Sequence, residues 1–416
     1  MSHSLIDQAI LSASNFLIGL VFIKFATKHE YYAFSQIIGY NALTLALQGA
    51  VVNTTALTLL PQKDDVNRAA AARAFFGLQL VLSLFLAVVG GLAIWAVPSS
   101  ISMDEVSVNL ALGMALLILA TWLREFLRNV QFINMRPDLC LRNDLIYVLV
   151  LVAAIGGLVL EGSVRADSML LLVGSVGVGT GLLWALGAGI KPVVTFSAWR
   201  TLWKEVWPLA RWSLPAGVVA WAFGNAYLLI GARMVGPEGT AEIVAAKLFT
   251  APLGMLFLSW ANIFRPKVSQ SITKGEVASV GGLTRLSMIG VVIIVVLYCG
   301  ALTLSYPYLE TYLLGEKYKG LRVDIAWWGL FFLASGMSGV CNGVLLAGGH
   351  FRQSFYAAAG SSVVSIGSML LLSWMYGKNG LMAGAVMGEA CYAGILFLGM
   401  RAMLRNVPDE LKRGNR

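Results

Sequence analysis

A few charged side chains lie inside or at the ends of long apolar segments, and these have the clearest potential for chemistry. Lys247 occurs in IVAAKLFTAPLG, within an apolar run over residues 240–264, and Lys24 and Arg233 close two other apolar runs. At about 1.5 Å per helical residue, Lys247 lies roughly 10 Å inside its run, deeper than the roughly 6 Å that a lysine stem can snorkel. A lysine that faces lipid costs on the order of 2 to 3 kcal/mol. The sequence therefore predicts either a cation that lines a wet cavity and binds anions or a strained, snorkelling lysine.

Two further residues inside apolar runs have a possible chemical or mechanical role. Glu389 is an acid within such a run, where a carboxyl group could exchange a proton or bind sodium; a protonated or salt-bridged packing residue is the alternative. Pro252 follows Lys247 by five residues and removes one backbone hydrogen bond from a helix. It predicts a hinge, or else a static kink, close to Lys247.

Polar side chains also recur in the first two apolar runs. They could donate hydrogen bonds to sugar hydroxyls, or they could bond neighbouring helices to each other. The residues with this pattern are Asn15, Gln36, Asn41, Gln48 and Asn53. Nearer the start of the chain, Ser4 is followed three residues later by Asp7, the spacing of a capping box. This spacing predicts that Asp7 caps the first helix rather than forming a substrate or proton site.

Catalytic and metal motifs are missing from the sequence. HExxH, GxSxG, Walker A and DxD patterns do not occur, so metal, acyl-transfer and phosphoryl-transfer chemistry have no support. The four cysteines lack CxxC spacing, and we interpret them as buried apolar residues. They are Cys140, Cys299, Cys341 and Cys391. The sequence predicts no catalytic residue, no metal site and no cofactor apart from a coupling proton or sodium ion.

The elements that must position these residues are membrane-spanning helices. Hydrophobic residues make up 58% of the 416 and charged residues 12%, and the mean hydropathy is +0.76. A span needs roughly 20 apolar residues, which predicts an all-α polytopic membrane protein with about 12 spans. They cover residues 5–27, 33–60, 74–97, 106–127, 140–160, 168–190, 209–232, 241–264, 283–305, 324–348, 352–376 and 380–404. The short connections leave no room for a soluble catalytic domain.

The distribution of basic residues predicts the orientation of these spans. Of the 30 lysines and arginines, Lys247 lies within a span. If both termini are cytoplasmic, most of the other 29 fall on the inner side, as the positive-inside rule requires. The outer side then holds Lys24, Lys28, Arg165, Arg233, Lys317, Lys319, Arg322 and Lys378. Topology and contact with anionic lipid headgroups account for the net charge of +9. No nucleic-acid partner is needed to explain it.

Two similar segments indicate that six spans are repeated. IKFATKHEYYAFSQ (23–36) and ARMVGPEGTAEIVAA (232–246) each close a span with a basic residue, continue with an acidic turn and precede a span that ends at a proline. The predicted domains are an N-terminal six-helix lobe over 1–190, a cytoplasmic linker helix over 191–208, a C-terminal six-helix lobe over 209–404 and a basic tail over 405–416. Trp199, Trp203 and Trp207 form one stripe of the linker, which predicts a helix in the membrane interface.

Five segments together resemble a known family of transporters. They are DQAILSASNFLIGLVF, ARMVGPEGTAEIVAA, LLGEKY, NGVLLAGG and GLMAGAVMGEA. Over nearly the whole chain, the sequence is similar to bacterial O-antigen and exopolysaccharide (Wzx-like) flippases. These belong to the multidrug/oligosaccharidyl-lipid/polysaccharide exporter superfamily, with lipid II flippases and multidrug exporters. The sequence departs from the pattern of these transporters in two ways. It has Ala33 at a position where glycine is common, and it has twelve predicted spans, whereas lipid II flippases typically have fourteen.

The resemblance implies a fold and a cargo. Two six-helix lobes would face a central cavity and move undecaprenyl-pyrophosphate-linked oligosaccharide from the cytoplasmic to the outer leaflet of the bacterial inner membrane by alternating access. A diphosphate needs cations at membrane depth, and Lys24 and Lys247 resemble the first-span and eighth-span cations of lipid II flippases, with Arg233 as a third candidate. Implied partners are membrane lipids, a polysaccharide polymerase and chain-length proteins.

Two other functions are the alternatives to this interpretation. A cation-coupled multidrug exporter of the same superfamily would have more acids and fewer cations in its cavity. A membrane polysaccharide polymerase or ligase would need a large outer loop, whereas the longest predicted outer loop, near residues 306–323, is short and rich in tyrosine. We therefore expect a transporter rather than an enzyme.

Overall fold

The computed structural model describes residues 2–96, 107–189, 191–274 and 276–405, and within these ranges it contains helices and no β-strand. We number the α-helices in chain order. They are α1 (Ser2–Phe25), α2 (Lys28–Gln48), α3 (Thr54–Leu59), α4 (Asp65–Ala96), α5 (Val108–Ile133), α6 (Pro137–Leu160), α7 (Ala166–Ala188), α8 (Phe196–Met234), α9 (Gly236–Thr273), α10 (Val277–Leu309), α11 (Arg322–Ala347) and α12 (Phe351–Arg405). A π-helical turn, Gly49–Asn53, joins α2 to α3.

Eleven helical segments of the described chain are long and apolar enough to cross a membrane. The second of them, Lys28–Gln62, includes α2, the π-helical turn and α3. The last, Phe351–Arg405, is 55 residues long and contains two spans, because Gly377 leaves helical geometry with φ 57° and ψ −132°. The prediction of an all-α polytopic protein with about 12 spans is therefore confirmed.

The two halves of α12 fold back on each other at Gly377. A Cβ atom built on Gly384 would overlap the backbone of Met369, which comes from the other half of the same helix. The hydroxyl of Ser368 also donates a hydrogen bond to the Gly384 carbonyl oxygen at 3.1 Å. Such close approach of two backbones requires a residue without a side chain and favours tight packing of helices in lipid.

This packing gives a first test. We expect Gly384→Ala to destabilise the protein by about 1 to 3 kcal/mol, because the added methyl group must push two helix backbones apart. Gly394→Ala is the matched control, since no atom lies within 4 Å of the Cβ position at this other glycine of α12. Thermal unfolding in detergent should show a lower midpoint for Gly384→Ala alone. Equal midpoints for the two variants would contradict the hairpin packing.

The first compact unit extends to Trp221 and is built around α5. The rings of Phe76 on α4 and Phe126 on α5 stack with their centroids 5.4 Å apart. Polar contacts add to this apolar packing, because Gln48 on α2 donates to the side chain of Gln79 at 2.8 Å and to the Trp122 carbonyl oxygen at 2.7 Å. Buried polar groups that are paired in this way fix the register of neighbouring helices.

The second compact unit begins at Ala222, and α11 is its central helix. Trp328 on α11 is 1% exposed and its indole nitrogen donates to the Ile243 carbonyl oxygen on α9 at 2.9 Å. On α10, the Tyr298 hydroxyl donates to the Phe249 carbonyl oxygen of α9 at 2.8 Å. These side-chain bonds to the backbone of α9 hold the helix that carries Lys247.

The segment predicted as a separate linker belongs to a longer helix. Residues 196–208 and the following span form the single helix α8, which continues through Pro208 and Pro215, because a proline can bend a helix without ending it. The rings of Trp203 and Trp207 stack with centroids 5.6 Å apart, and both are partly exposed. Their position in the membrane interface stays a prediction. Most of the predicted basic tail, residues 406–416, lies outside the described residues.

Candidate substrate-cation site around Lys247

Lys247 lies on α9 between aromatic residues of two other helices. Its ammonium group donates a hydrogen bond to the Tyr227 hydroxyl on α8 at 3.2 Å. The same nitrogen lies 4.6 Å from the ring centroid of Tyr227 and 4.9 Å from that of Trp328. These distances are those of cation–π interactions, which become stronger when the cation is shielded from water.

The two aromatic rings pack against each other and against α9. They meet edge to face, with centroids 5.3 Å apart and an interplanar angle of 83°, an arrangement that the ring quadrupoles favour. The bond from Trp328 to Ile243, one helical turn before Lys247, fixes the indole against α9. Phe331 and Phe332 pack around the same indole. The ammonium group of Lys247 therefore contacts aromatic rings that are themselves fixed by packing and by a hydrogen bond to α9.

No acid neutralises Lys247 within the part of the chain that the structure describes. Glu242 is the nearest acid along α9, and it accepts from Lys378 at 2.6 Å. Asp324 on α11 accepts from the same Lys378 at 2.9 Å. No carboxylate of the described residues forms an ion pair with Lys247, whose ammonium group contacts only two aromatic faces and one hydroxyl. Such an ammonium group can attract an anionic ligand.

Pro252 lies inside α9, which continues past it to Thr273 without a break. The Thr250 hydroxyl donates to the Lys247 carbonyl oxygen at 3.1 Å and adds a hydrogen bond where the proline weakens the helix. Pro252 is therefore a site of local weakness in a continuous helix. Whether α9 bends there during a cycle stays a prediction.

The structure places the other two predicted cations differently. Lys24 belongs to the first unit, is exposed and has its ammonium group 5.7 Å from the ring centroid of Phe25. Arg233 is exposed near the end of α8. Neither has the buried aromatic surroundings of Lys247. Their predicted role in binding cargo stays a prediction with less structural support.

The five predicted sugar-binding residues differ in how far their side chains are already hydrogen-bonded. Gln48 and Asn41 bond to other helices: Gln48 as described above, and Asn41 by accepting from the Thr121 hydroxyl of α5 at 3.2 Å. Gln36 donates within α2 to the Tyr40 hydroxyl at 3.2 Å. Asn15 is exposed, whereas Asn53 is buried in the π-helical turn with no bond to its amide oxygen. Asn15 and Asn53 therefore keep more capacity for a sugar than Gln48 and Asn41.

Glu389 is buried in the second unit, with 3% of its surface exposed. The Ser338 hydroxyl on α11 donates to one of its carboxyl oxygens at 2.7 Å. The described residues provide no cation that pairs with it. A buried carboxyl group bonded to a hydroxyl and unpaired with any base is suited to carry a proton or to bind a small cation.

A buried charge cluster in the first unit was missed by sequence reasoning. Asp7 lies within α1, which begins at Ser2, so the prediction that Asp7 caps the helix is wrong. Its carboxylate is fully buried and accepts from Arg128 on α5 at 2.7 Å. Arg128 also lies 3.4 Å from the carboxylate of Asp144 on α6, and Arg124 donates to that carboxylate at 2.5 Å.

The cluster balances two acids with two arginines. The guanidinium carbon of Arg124 lies 3.3 Å from the ring centroid of Tyr147, so this cation also rests on an aromatic face. Four charges that compensate each other can be buried at much lower cost than one. We interpret the cluster as the connection that fixes α1 to α5 and α6, in contrast to the uncompensated cation of Lys247.

The described residues contain no group of three or more His, Cys, Asp or Glu side chains that could hold a metal ion. The four cysteines are free, and Cys140 and Cys341 are buried.

The fold resembles that of solved membrane transporters. The chain is similar to an inward-facing multidrug-resistance MATE family transporter of the MOP superfamily, with a TM-score of 0.78 and 13% identity over 97% of this chain and 96% of that one. It is also similar to the lipid II flippase MurJ in an inward closed conformation, with a TM-score of 0.75 and 12% identity over 96% of this chain and 88% of that one.

A third similar structure is a MOP superfamily transporter from Pyrococcus furiosus Vc1, whose binding pocket is described as having reverse polarity. Its TM-score is 0.61, with 15% identity over 99% of this chain and 95% of that one. No protein-family model matches the sequence, and no curated protein matches it. At these identities the similarity establishes the fold. The chain is a polytopic membrane protein with the fold of the MOP superfamily transporters.

Proposed function

We propose that this protein is a flippase that moves undecaprenyl-pyrophosphate-linked oligosaccharide from the cytoplasmic to the outer leaflet by alternating access. The observation that carries the proposal is the ammonium group of Lys247, which rests on Tyr227 and Trp328 without an acidic partner among the described residues. The fold shared with a lipid II flippase is consistent with it. Transport requires no covalent step, so no enzyme activity is part of the proposal.

An anionic cargo follows from the electrostatics of Lys247. A lysine within a span is unfavourable unless an anion or water compensates it. A diphosphate group is also charged, and its transfer into a cavity at membrane depth is unfavourable unless cations compensate that charge. Binding of the diphosphate near Lys247 would compensate both charges. Of the predicted sugar-binding residues, Asn15 and Asn53 have the most free capacity to bond sugar hydroxyls.

The cellular setting is part of the same proposal. We place the protein in the bacterial inner membrane with both termini in the cytoplasm, in accord with the distribution of lysine and arginine. Lipid-linked oligosaccharide and membrane lipids are the molecular partners, and a polysaccharide polymerase and chain-length proteins are the functional ones. O-antigen or exopolysaccharide would be the final product of the pathway.

A binding experiment tests the choice of cargo. The purified protein is heated with undecaprenyl diphosphate, undecaprenyl monophosphate or undecaprenol, and the midpoint of thermal unfolding is measured for each. A ligand that binds the native state raises this midpoint, and at equal concentration a ligand of higher affinity raises it more. We expect the diphosphate to give the largest increase and undecaprenol the smallest. Equal increases for the three lipids would refute recognition of the diphosphate.

A cation-coupled multidrug exporter is the second candidate function. The similarity to a MATE family transporter favours it as much as the similarity to the lipid II flippase favours the first. Buried Glu389 is the specific feature that such an exporter would use. The thermal experiment separates the two functions, because stabilisation by lipophilic cations instead of the diphosphate would support the exporter.

Ion coupling at Glu389 is compatible with either cargo, and we propose that this carboxyl exchanges a proton or sodium ion during transport. Glu389→Gln keeps the shape and the bond from Ser338 but cannot be deprotonated. We expect it to abolish the acceleration of transport by an imposed ion gradient in proteoliposomes. Glu316→Gln, at an 89% exposed side chain, is the control. A gradient response of Glu389→Gln equal to that of the wild type would exclude this role.

A further inference from the structure

A groove beside the first turns of α12 combines basic and aromatic side chains. It has a volume of about 680 Å³ and is lined by residues that include His350, Arg352, Gln353, Tyr356 and Ile395. The first four precede Gly377 and Ile395 follows it, so both halves of the α12 hairpin contribute. This groove lies wholly within the second unit and is separate from the Lys247 site.

Arg352, which lines the groove, and Arg401, which lies outside its lining on the other half of α12, have no acidic partner in the described ranges. The guanidinium carbon of Arg352 lies 5.5 Å from the ring centroid of Tyr356, which leaves its N–H groups free to bond elsewhere. Arg401, near the end of the other half of α12, is exposed and lies 4.9 Å from the ring centroid of Phe397. Arginine is suited to phosphate because its planar fork can donate two parallel hydrogen bonds.

An exposed apolar stripe leads away from the groove along α12. Tyr356, Val363, Leu370 and Trp374 are spaced by seven, seven and four residues, so they lie on one face of the helix. Their exposed fractions are 59%, 73%, 45% and 77%. At about 1.5 Å per residue the stripe is roughly 27 Å long, comparable with the hydrocarbon thickness of a bilayer. The described residues leave this face open to lipid chains.

We propose that the groove and stripe form a binding site for one anionic phospholipid. Its headgroup phosphate would bond to Arg352 near His350, and its acyl chains would follow the part of the stripe nearest Tyr356, within one leaflet. Under the predicted orientation this end of α12 faces the cytoplasmic leaflet, whose anionic lipids attract basic residues next to a span. Tyrosine at the boundary between headgroup and chain is typical of membrane interfaces. The proposal does not depend on the identity of the transported cargo.

Native mass spectrometry of the full chain can test the site. The protein in detergent is given phosphatidylglycerol and phosphatidylcholine with identical acyl chains, and the retained lipid is counted. We expect the wild type to retain phosphatidylglycerol preferentially. Arg352→Gln should reduce this retention about tenfold, the factor that a charge-assisted hydrogen bond contributes. Tyr356→Ala keeps the charges and removes apolar contact, so it should reduce the retention of both lipids.

Arg285→Gln is the matched control. Arg285 is an exposed arginine of α10, also on the predicted inner side but outside this groove, and we expect its replacement to leave lipid retention unchanged. Three results would overturn the proposal. They are equal retention of the two lipids by the wild type, an equal effect of Arg285→Gln and Arg352→Gln, and displacement of phosphatidylglycerol by inorganic phosphate, which would indicate a soluble anion.

Discussion

Lys247→Gln is expected to weaken the binding of undecaprenyl diphosphate about 10- to 100-fold and to stop transport. The expected loss corresponds to about 1.5 to 3 kcal/mol, the contribution of hydrogen bonds to charged groups. The substitution removes the positive charge that lies 3.2 Å from the Tyr227 hydroxyl but retains a polar side chain at this position. The measurement is the shift in unfolding midpoint across a titration of the lipid diphosphate.

Lys247→Arg distinguishes a need for charge from a need for lysine. A guanidinium group can stack on the rings of Tyr227 and Trp328 and can bond a diphosphate with two parallel hydrogen bonds. We therefore expect Lys247→Arg to retain most of the binding that Lys247→Gln loses. Lys319→Gln is the control, because Lys319 is 64% exposed and pairs with Glu316. Wild-type affinity in Lys247→Gln would eliminate this lysine as the cargo cation.

The spans could be predicted from the sequence because hydropathy in lipid is a strong and local constraint. Each helix must satisfy its own backbone hydrogen bonds in the membrane, so length and apolar composition are enough to locate it. The last two predicted spans, 352–376 and 380–404, agree with the two halves of α12 on either side of Gly377. The position of this turn follows from glycine, which adopts a positive φ without the strain that a Cβ atom imposes.

The surroundings of Lys247 could not be predicted in the same way. Its depth within a span was apparent from the sequence, but its partners come from two other helices, with Tyr227 on α8 and Trp328 on α11. Helix packing in lipid depends on shape and on a few polar bonds, and neither leaves a periodic pattern in one sequence. The identity of these aromatic partners therefore had to come from the structure.

Asp7 illustrates why a local pattern can mislead. The spacing of Ser4 and Asp7 is that of a capping box, which is decided within four residues. The partner that determines the role of Asp7 is Arg128, 121 residues away in the chain. A useful signal was available in Arg124 and Arg128, which are four residues apart and share one face of a helix. Two arginines on one face of a largely apolar helix favour acids on the neighbouring helices.

The cluster around Arg128 leads to the second large effect. We expect Arg128→Gln to destabilise the protein by about 3 kcal/mol, because it leaves the fully buried carboxylate of Asp7 without its cation. Asp7→Asn should destabilise less, since Arg128 keeps a second carboxylate, that of Asp144, at 3.4 Å. Thermal unfolding midpoints in detergent measure both variants. Arg136→Gln is the control, because Arg136 and its partner Asp138 are 55% and 51% exposed.

The double variant separates a paired interaction from two unrelated losses. If Asp7 and Arg128 stabilise each other, Asp7→Asn combined with Arg128→Gln should destabilise less than the sum of the single variants, because no charge is then left uncompensated at Asp7. The remaining pair, Arg124 with Asp144, stays intact in all three proteins. Additive destabilisation would mean that the contact at 2.7 Å between Arg128 and Asp7 contributes no coupling energy. In that case α1 would be fixed to α5 and α6 by apolar packing alone.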